Sequence, residues 1–97
     1  MILITGGLGY LGARIAKYLL ESGYDVRLST SRKNSIIPTE LSGADVVSMD
    51  LSDSTSLTHG CSGVSTIIHL AALNAQACAK DPEQALLVNG LGTLKLL

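Results

Sequence analysis

The feature that most constrains the fold is a cluster of glycines between an aliphatic run and a helical pattern. Residues 1–5 are aliphatic up to a closing threonine, and residues 6–12 contain four glycines. From Tyr10 to Leu20 apolar residues return at helical spacing, and Ser-Gly at 22–23 supplies a stop. This stretch predicts a strand buried on both faces, a tight turn and a helix.

Three later segments have the short, β-branched composition of strands, at residues 25–30, 44–49 and 64–71. A polar connection with little periodicity separates the first two, at residues 31–42. Parallel strands need a connection long enough to hold a helix. Strands that alternate with helical segments therefore predict an α/β domain with a parallel sheet and helices on both faces.

The segments around the fourth strand are less regular. Residues 52–60 are rich in Ser and Thr and fit either a short capped helix or a loop. Asp81-Pro82-Glu83 predicts a capped helix start, and leucines continue the helical pattern to Leu97 without a stop. The fourth strand would be an edge although its composition favours a neighbour on each side. We therefore expect residues 1–97 to be the N-terminal part of a longer domain.

Composition excludes several classes of partner. The 97 residues carry seven basic and eight acidic side chains, a net charge of −1, so no cationic surface for a nucleic-acid backbone is predicted. No apolar run reaches the roughly 20 residues of a membrane span, and no signal-peptide pattern is present. Cys61 and Cys78 are too few and too far apart for a disulfide scaffold or a zinc site. We expect a soluble, cytoplasmic chain that binds no nucleic acid, membrane or metal and keeps its thiols reduced.

The glycine cluster also has a chemical interpretation. Residues 5–12 fit the pattern G-x-G-x-x-G from Gly7 and G-x-x-G-x-x-G from Gly6. One glycine allows the tight turn, one lets a pyrophosphate approach the backbone, and one lets the helix lie close to the sheet. The N-terminus of the helix then offers unpaired N–H groups to the anion. Because the motif follows a strand and precedes a helix, it predicts dinucleotide binding rather than a purely structural turn.

Further motifs follow the glycine cluster in a fixed order. The four motifs are Thr5-Gly6-Gly7-x-Gly9-Tyr10-Leu11-Gly12, Asp50-Leu51, His69-Leu70-Ala71-Ala72 and Asn89-x-x-Gly92-Thr93. Together they resemble the extended short-chain dehydrogenase/reductase family, specifically its nucleotide-sugar epimerase and dehydratase branch. The resemblance covers the whole chain. It implies a Rossmann-type parallel sheet with helices on both faces, truncated here after about four strands.

The resemblance also implies a cofactor site. Its pyrophosphate would contact the backbones of Tyr10 and Leu11, and its adenine would contact Asp50 and Leu51. The path towards the nicotinamide ribose would be lined by Leu70, Ala71 and Ala72, with Asn89 nearby. The candidate cofactor-binding residues are Gly6, Gly9, Tyr10, Leu11, Gly12, Ser31, Arg32, Asp50, Leu51, Leu70, Ala71, Ala72 and Asn89.

Two of these candidates have a structural alternative. Asp50 ends a parallel strand on the side where such sheets bind ligands, but it could instead cap the turn or helix that begins near Leu51. Asn89 is polar among aliphatic neighbours, which fits either a contact with the cofactor or a satisfied amide in the core.

The end of the second strand bears on the choice between NAD and NADP. An NAD site usually has an acidic residue about 20 residues after the glycine turn. This chain has Ser29-Thr30-Ser31-Arg32 there, and Asp25 lies at the opposite end of the strand. Hydroxyls and a guanidinium suit a 2′-phosphate, so we expect NAD(P) binding with NADP slightly favoured. Arg32 and Lys33 could equally be a solvated pair of charges.

No catalytic pair is visible. The family resemblance implies a tyrosine followed four residues later by a lysine, with a serine or threonine nearby, for hydride chemistry. The residues four positions after Tyr10, Tyr18 and Tyr24 are Arg14, Ser22 and Leu28. His69 is interpreted as structural, with a catalytic role as the alternative. We predict neither catalytic nor metal-binding residues in this chain, and expect the 97 residues alone to be inactive.

The predicted function is the NAD(P)-binding portion of a nucleotide-sugar epimerase/dehydratase-like oxidoreductase. Its partners would be a dinucleotide and, in a full-length protein, a nucleotide sugar, and a homodimer is possible. Two alternatives stay open at this point, a non-catalytic NADP-binding sensor and an inert truncated product.

Overall fold

The sheet has four parallel strands in the order β3-β2-β1-β4. The computed structural model describes residues 1–31, 37–71 and 79–96. The strands are β1 (Ile2–Thr5), β2 (Val26–Thr30), β3 (Asp45–Ser48) and β4 (Thr66–His69). Strand order reverses between β3 and β4, which lie on opposite sides of β1. Such a switch point opens a crevice at the carboxyl ends of the strands, where open α/β sheets bind their ligands.

Helical segments connect the strands. They are α1 (Tyr10–Glu21), a single 3₁₀ turn (Thr39–Leu41), α2 (Ser54–Gly60), α3 (Pro82–Ala85), a π-helical segment (Leu86–Leu91) and α4 (Gly92–Leu96). None of the helices in the described ranges is long and apolar enough to cross a membrane.

Apolar side chains are buried on both faces of the sheet. Ile4 of β1 packs on one face with Leu28 and with Ala16 of α1. Leu3, the preceding residue of β1, packs on the opposite face with Leu57 of α2, because successive side chains of a strand point to opposite sides. The predicted Rossmann-type sheet with helices on both faces is therefore confirmed.

The structure defines two connections that the sequence leaves irregular or open. The polar connection after β2 contains the 3₁₀ turn, whose Leu41 is 1% exposed and packs with the core residues under α1. The open choice at residues 52–60 is resolved as a helix. Asp53 is its N-cap, since its carboxylate accepts a hydrogen bond from the backbone N–H of Thr55 at 3.0 Å.

The predicted last helix is confirmed from Pro82 to Leu96, although it is not α-helical throughout. Its middle third, Leu86–Leu91, is π-helical. Gly90 lies inside this segment and Gly92 directly follows it, and glycine is the weakest helix former after proline. Leu86 and Leu94, which the helical pattern includes, are 72% and 64% exposed.

Arg27 of β2 connects three elements. Its Nε donates to the Asp45 carboxylate of β3 at 2.8 Å. Its Nη1 donates to the backbone oxygens of Gly60 and Ser62, both at 2.7 Å. These oxygens lie at the carboxyl end of α2, where the helix dipole favours a cation. The guanidinium therefore holds α2 against the sheet.

Candidate functional site

The candidate site lies where β1 and β4 end and α1 begins. Gly6 follows β1 with a φ of +67°, a conformation that side chains other than glycine rarely adopt. The backbone N–H of Gly7 donates to Ser29 at the end of β2, and that of Gly9 donates to Gly6. The chain thereby turns sharply from the sheet into α1.

Gly6 and Gly12 are required by the fold itself. A Cβ added to Gly6 would lie 3.1 Å from the backbone nitrogen of Ala71, so the turn contacts the end of β4 closely. A Cβ on Gly12 would lie 2.5 Å from the carbonyl oxygen of Gly6. Gly12 thus allows α1 to lie directly against the turn, as predicted for the third glycine of the motif.

Gly9 is different. Among the described residues, the nearest atom to a Cβ there is the carbonyl oxygen of Gly6, at 3.2 Å. This contact is tight, so the Gly6 carbonyl would have to shift by a few tenths of an ångström, but the conflict is milder than at Gly12 and the φ of −73° suits any residue. A methyl group would fill the space in front of the helix N-terminus. The glycine motif predicts that a pyrophosphate approaches the backbone at this position.

Within the part of the chain that the structure describes, the N-terminus of α1 has no side-chain cap. Gly9 is the N-cap and makes no side-chain cap hydrogen bond, and the first turn contains no acidic residue. The first intrahelical bond runs from the N–H of Ala13 to Gly9 at 2.9 Å. The N–H groups of Tyr10 and Leu11 precede that bond, so they can donate to an anion together with the positive end of the helix dipole.

Thr5, the last residue of β1, is fully buried and joins β1 to β4. Its Oγ1 lies 2.6 Å from Nδ1 of His69, and it accepts the backbone N–H groups of Leu70 at 3.0 Å and Ala71 at 3.2 Å. The other ring nitrogen of His69, Nε2, lies 2.9 Å from Oγ1 of Thr93. Burial lowers the pKa of His69. These contacts place His69 in the framework of the site.

Asp50 and Leu51 follow β3. One carboxylate oxygen of Asp50 accepts the backbone N–H of Ser52 at 2.9 Å and its hydroxyl at 2.6 Å, and these two bonds lower the pKa of Asp50. Asp50 thus caps the turn that precedes α2. Leu51 is 7% exposed and packs in the core with Leu3 and Leu57. Contacts of both residues with an adenine stay predictions.

The structure describes four of the other candidates. Leu70 and Ala71 are half-buried at the end of β4, beside the glycine turn, and Ser31 is exposed after β2. Asn89 is exposed, so its interpretation as an amide in the core is wrong. Its carbonyl oxygen accepts the hydroxyl of Thr93 at 3.0 Å. The two remaining candidates, Arg32 and Ala72, lie outside the described residues.

Sequence reasoning missed Thr5 and Thr93 as side chains of the site. One signal was available for Thr5, since it is the only polar residue of an otherwise aliphatic strand. A buried hydroxyl needs a partner. No comparable signal marks Thr93, because its contact with His69 depends on how the last helical region packs against the sheet. Within the described ranges, no group of three or more His, Cys, Asp or Glu could hold a metal ion.

Comparison with known proteins identifies the family. The model of the NAD dependent epimerase/dehydratase family matches residues 2–97. A Methanocaldococcus jannaschii protein that is assigned as a UDP-glucose 4-epimerase is 36% identical over all of this chain and 32% of its own length.

Solved structures agree. An epimerase from Methanothermobacter thermautotrophicus has a TM-score of 0.85 and 33% identity over 98% of this chain and 30% of its own. A Thermus thermophilus UDP-glucose 4-epimerase in complex with NAD has a TM-score of 0.83 and 27% identity over 98% of this chain and 32% of its own.

The chain therefore spans about a third of the length of the relatives it matches. The match favours the cofactor-binding portion of an epimerase/dehydratase-like protein over a sensor or an inert product. This chain belongs to the NAD dependent epimerase/dehydratase family.

Proposed function

We propose that this chain binds an NAD(P) dinucleotide with its pyrophosphate at the N-terminus of α1. The observation that carries the proposal is the space at Gly9, beside a helix end without a cap. Gly6 has a positive φ and a Cβ at Gly12 would lie 2.5 Å from backbone, whereas at Gly9 the nearest described atom to a Cβ is the Gly6 carbonyl oxygen at 3.2 Å, so packing demands glycine less strongly there. A bound nicotinamide would supply reversible hydride acceptance. This chain's residues bind and orient the cofactor.

Replacing Gly9 by alanine tests the proposal. The added methyl group would push a pyrophosphate away from the N–H groups of Tyr10 and Leu11. Loss of one charge-assisted hydrogen bond of about 1.5–3 kcal/mol lowers affinity by roughly tenfold or more. Isothermal titration calorimetry with NADH and NADPH would measure this, and thermal unfolding would show that the variant still folds.

Gly43→Ala is the matched control. Gly43 precedes β3, at the end of the sheet away from the crevice, and the nearest described atom to a Cβ there belongs to a leucine side chain at 3.8 Å. We expect this variant to bind both nucleotides like the wild type. Equal affinity of Gly9→Ala and Gly43→Ala for both nucleotides would contradict the proposal.

We further propose that the site prefers NADP to NAD. The support is the absence of an acidic residue in Ser29–Ser31 and the presence of Arg32 directly after them. A carboxylate at this position would repel a 2′-phosphate, whereas a guanidinium would bind it. The family description and the NAD complex of a relative favour NAD as the alternative.

The ratio of the two dissociation constants decides between these cofactors. We expect Arg32→Ala to weaken NADP binding about tenfold and to leave NAD binding nearly unchanged. Lys33→Ala controls for the loss of one positive charge in the same segment. An unchanged affinity for NADP in Arg32→Ala would refute the preference.

The whole protein's activity is also a proposal. We infer that the chain is the cofactor-binding part of a cytoplasmic, nucleotide-sugar epimerase, dehydratase or reductase that works as a homodimer. A Tyr-x-x-x-Lys pair further along the same reading frame is required for this chemistry. Turnover of a nucleotide sugar by the protein that contains the pair would support the proposal. A reading frame without such a pair would favour the sensor.

A further inference from the structure

A line of hydrogen bonds crosses the candidate site from β4 to the last helical region. It runs from the backbone N–H groups of Leu70 and Ala71 to Oγ1 of Thr5, then to the ring of His69, and from that ring to Thr93. The line begins in the segment that contacts Gly6 of the glycine turn.

The partners of Thr5 define the direction of its hydrogen bond with His69. Oγ1 of Thr5 has two lone pairs and one proton. The N–H of Ala71 donates to one lone pair at 3.2 Å, and the N–H of Leu70, which also donates to the carbonyl oxygen of Thr5 at 3.2 Å, donates to the other at 3.0 Å. The hydroxyl proton must therefore be donated to Nδ1 of His69, 2.6 Å away. This nitrogen accepts and carries no proton.

The end at Thr93 gives the same result independently. Its hydroxyl donates to the carbonyl oxygen of Asn89 at 3.0 Å. Its proton is then unavailable to His69, so Nε2 of the ring must donate across the 2.9 Å to Thr93. Both ends thus require a neutral imidazole with its proton on Nε2.

We propose that Thr93 is a positioning residue for the dinucleotide site. Thr93 holds His69 as its Nε2–H tautomer, and the ring in turn positions Thr5 and the backbone of Leu70 and Ala71. This inference rests on the proposed function. The imidazole of His69, held by Thr93, accepts the hydroxyl of Thr5. That hydroxyl accepts the N–H groups of Leu70 and Ala71, and these bonds set how closely β4 approaches Gly6. The width of the crevice between α1 and β4 depends on this approach.

Nuclear magnetic resonance of the 97-residue chain labelled with ¹⁵N-histidine tests the first half. We expect one neutral tautomer for His69 with the proton on Nε2, and a slowly exchanging Nε2–H. Thr93→Val keeps the shape but removes the hydroxyl, so the tautomer should persist while exchange of this proton accelerates about tenfold or more. Thr93→Ser should restore slow exchange. A wild-type ring protonated on Nδ1 would overturn the inference.

Titration with NADH and NADPH tests the second half, and the chain contains a matched control. Thr58 of α2 also donates its hydroxyl to the carbonyl oxygen four residues earlier, Ser54, at 3.0 Å. We expect Thr93→Val to weaken nucleotide binding roughly threefold to tenfold, Thr58→Val to leave it unchanged, and Thr93→Ser to rescue it. Equal affinities for the two valine variants would overturn the positioning role alone. Failure of the wild type to bind either nucleotide would overturn the proposed function as well, whereas the tautomer would still be measured.

Discussion

Replacing Arg27 by methionine should cost more stability than any ordinary change on the surface of the sheet. Methionine retains an unbranched apolar stem but loses all three hydrogen bonds of the guanidinium. The bond to Gly60, a buried residue, should contribute about 2 kcal/mol, since hydrogen bonds that involve a charge contribute about 1.5–3 kcal/mol. Ser62 and Asp45 are exposed, so water replaces much of their bonding, and each should contribute only about 0.5 kcal/mol.

The expected loss is therefore about 3 kcal/mol in the free energy of unfolding. Urea denaturation followed by circular dichroism would measure it, and the midpoint of thermal unfolding should fall by about 10 °C or more for a chain of this size. Asp45→Asn is the control, because it removes only the ion pair with a carboxylate that is 49% exposed. We expect this variant to lose about 0.5 kcal/mol. Equal losses of stability in the two variants would refute the conclusion that the carbonyl oxygens of Gly60 and Ser62 are the important partners of Arg27.

Two further predictions concern the crevice. Gly12→Ala should destabilise the chain by about 1–2 kcal/mol, although alanine is the better helix former, because its Cβ would lie 2.5 Å from the backbone oxygen of Gly6. Urea denaturation checks this, and a stabilised variant would contradict the close packing of α1 on the turn. The stability of the wild type should fall as the pH drops below about 6.5, because burial lowers the pKa of His69 from 6.5 and the unfolded chain then binds the proton more readily. The stability that the neutral ring of His69 contributes is complete above pH 6.5 and is lost as the pH falls through the pKa of His69 in the folded state. His69→Asn should lack this part of the pH dependence, and an unchanged profile would argue against a half-buried, neutral ring.

Local sequence patterns made the glycine turn and the two elements beside it predictable. An aliphatic run predicts β1, the helical spacing of apolar residues predicts α1, and glycines at 6, 9 and 12 predict the turn between them. Each signal depends on neighbours within about ten residues, so it can be recognised without a tertiary structure. The polar connection after β2 shows the limit of such reasoning, because only packing against α1 buries Leu41.

The helix predicted at the end of the chain is confirmed, but the sequence did not show its π-helical segment, for a similar reason. Periodicity predicts where apolar residues recur, but it does not register the effect of Gly90 or the bond from Thr93 to Asn89. The same bond contributes to the tautomer of His69. No pattern in the sequence connects a threonine in the last helical region with a histidine 24 residues earlier.

The sequence by itself determined the alternation of strands and helices, the glycine turn and the kind of ligand that such a turn accepts, because these depend on spacing along the chain. Only the tertiary structure decided which glycines the packing of the turn requires most strongly, and that Thr5, His69 and Thr93 lie in one line of hydrogen bonds. Those properties depend on atoms brought within about 3 Å of each other from distant parts of the chain, where a single hydroxyl or methyl group determines whether the contact can form.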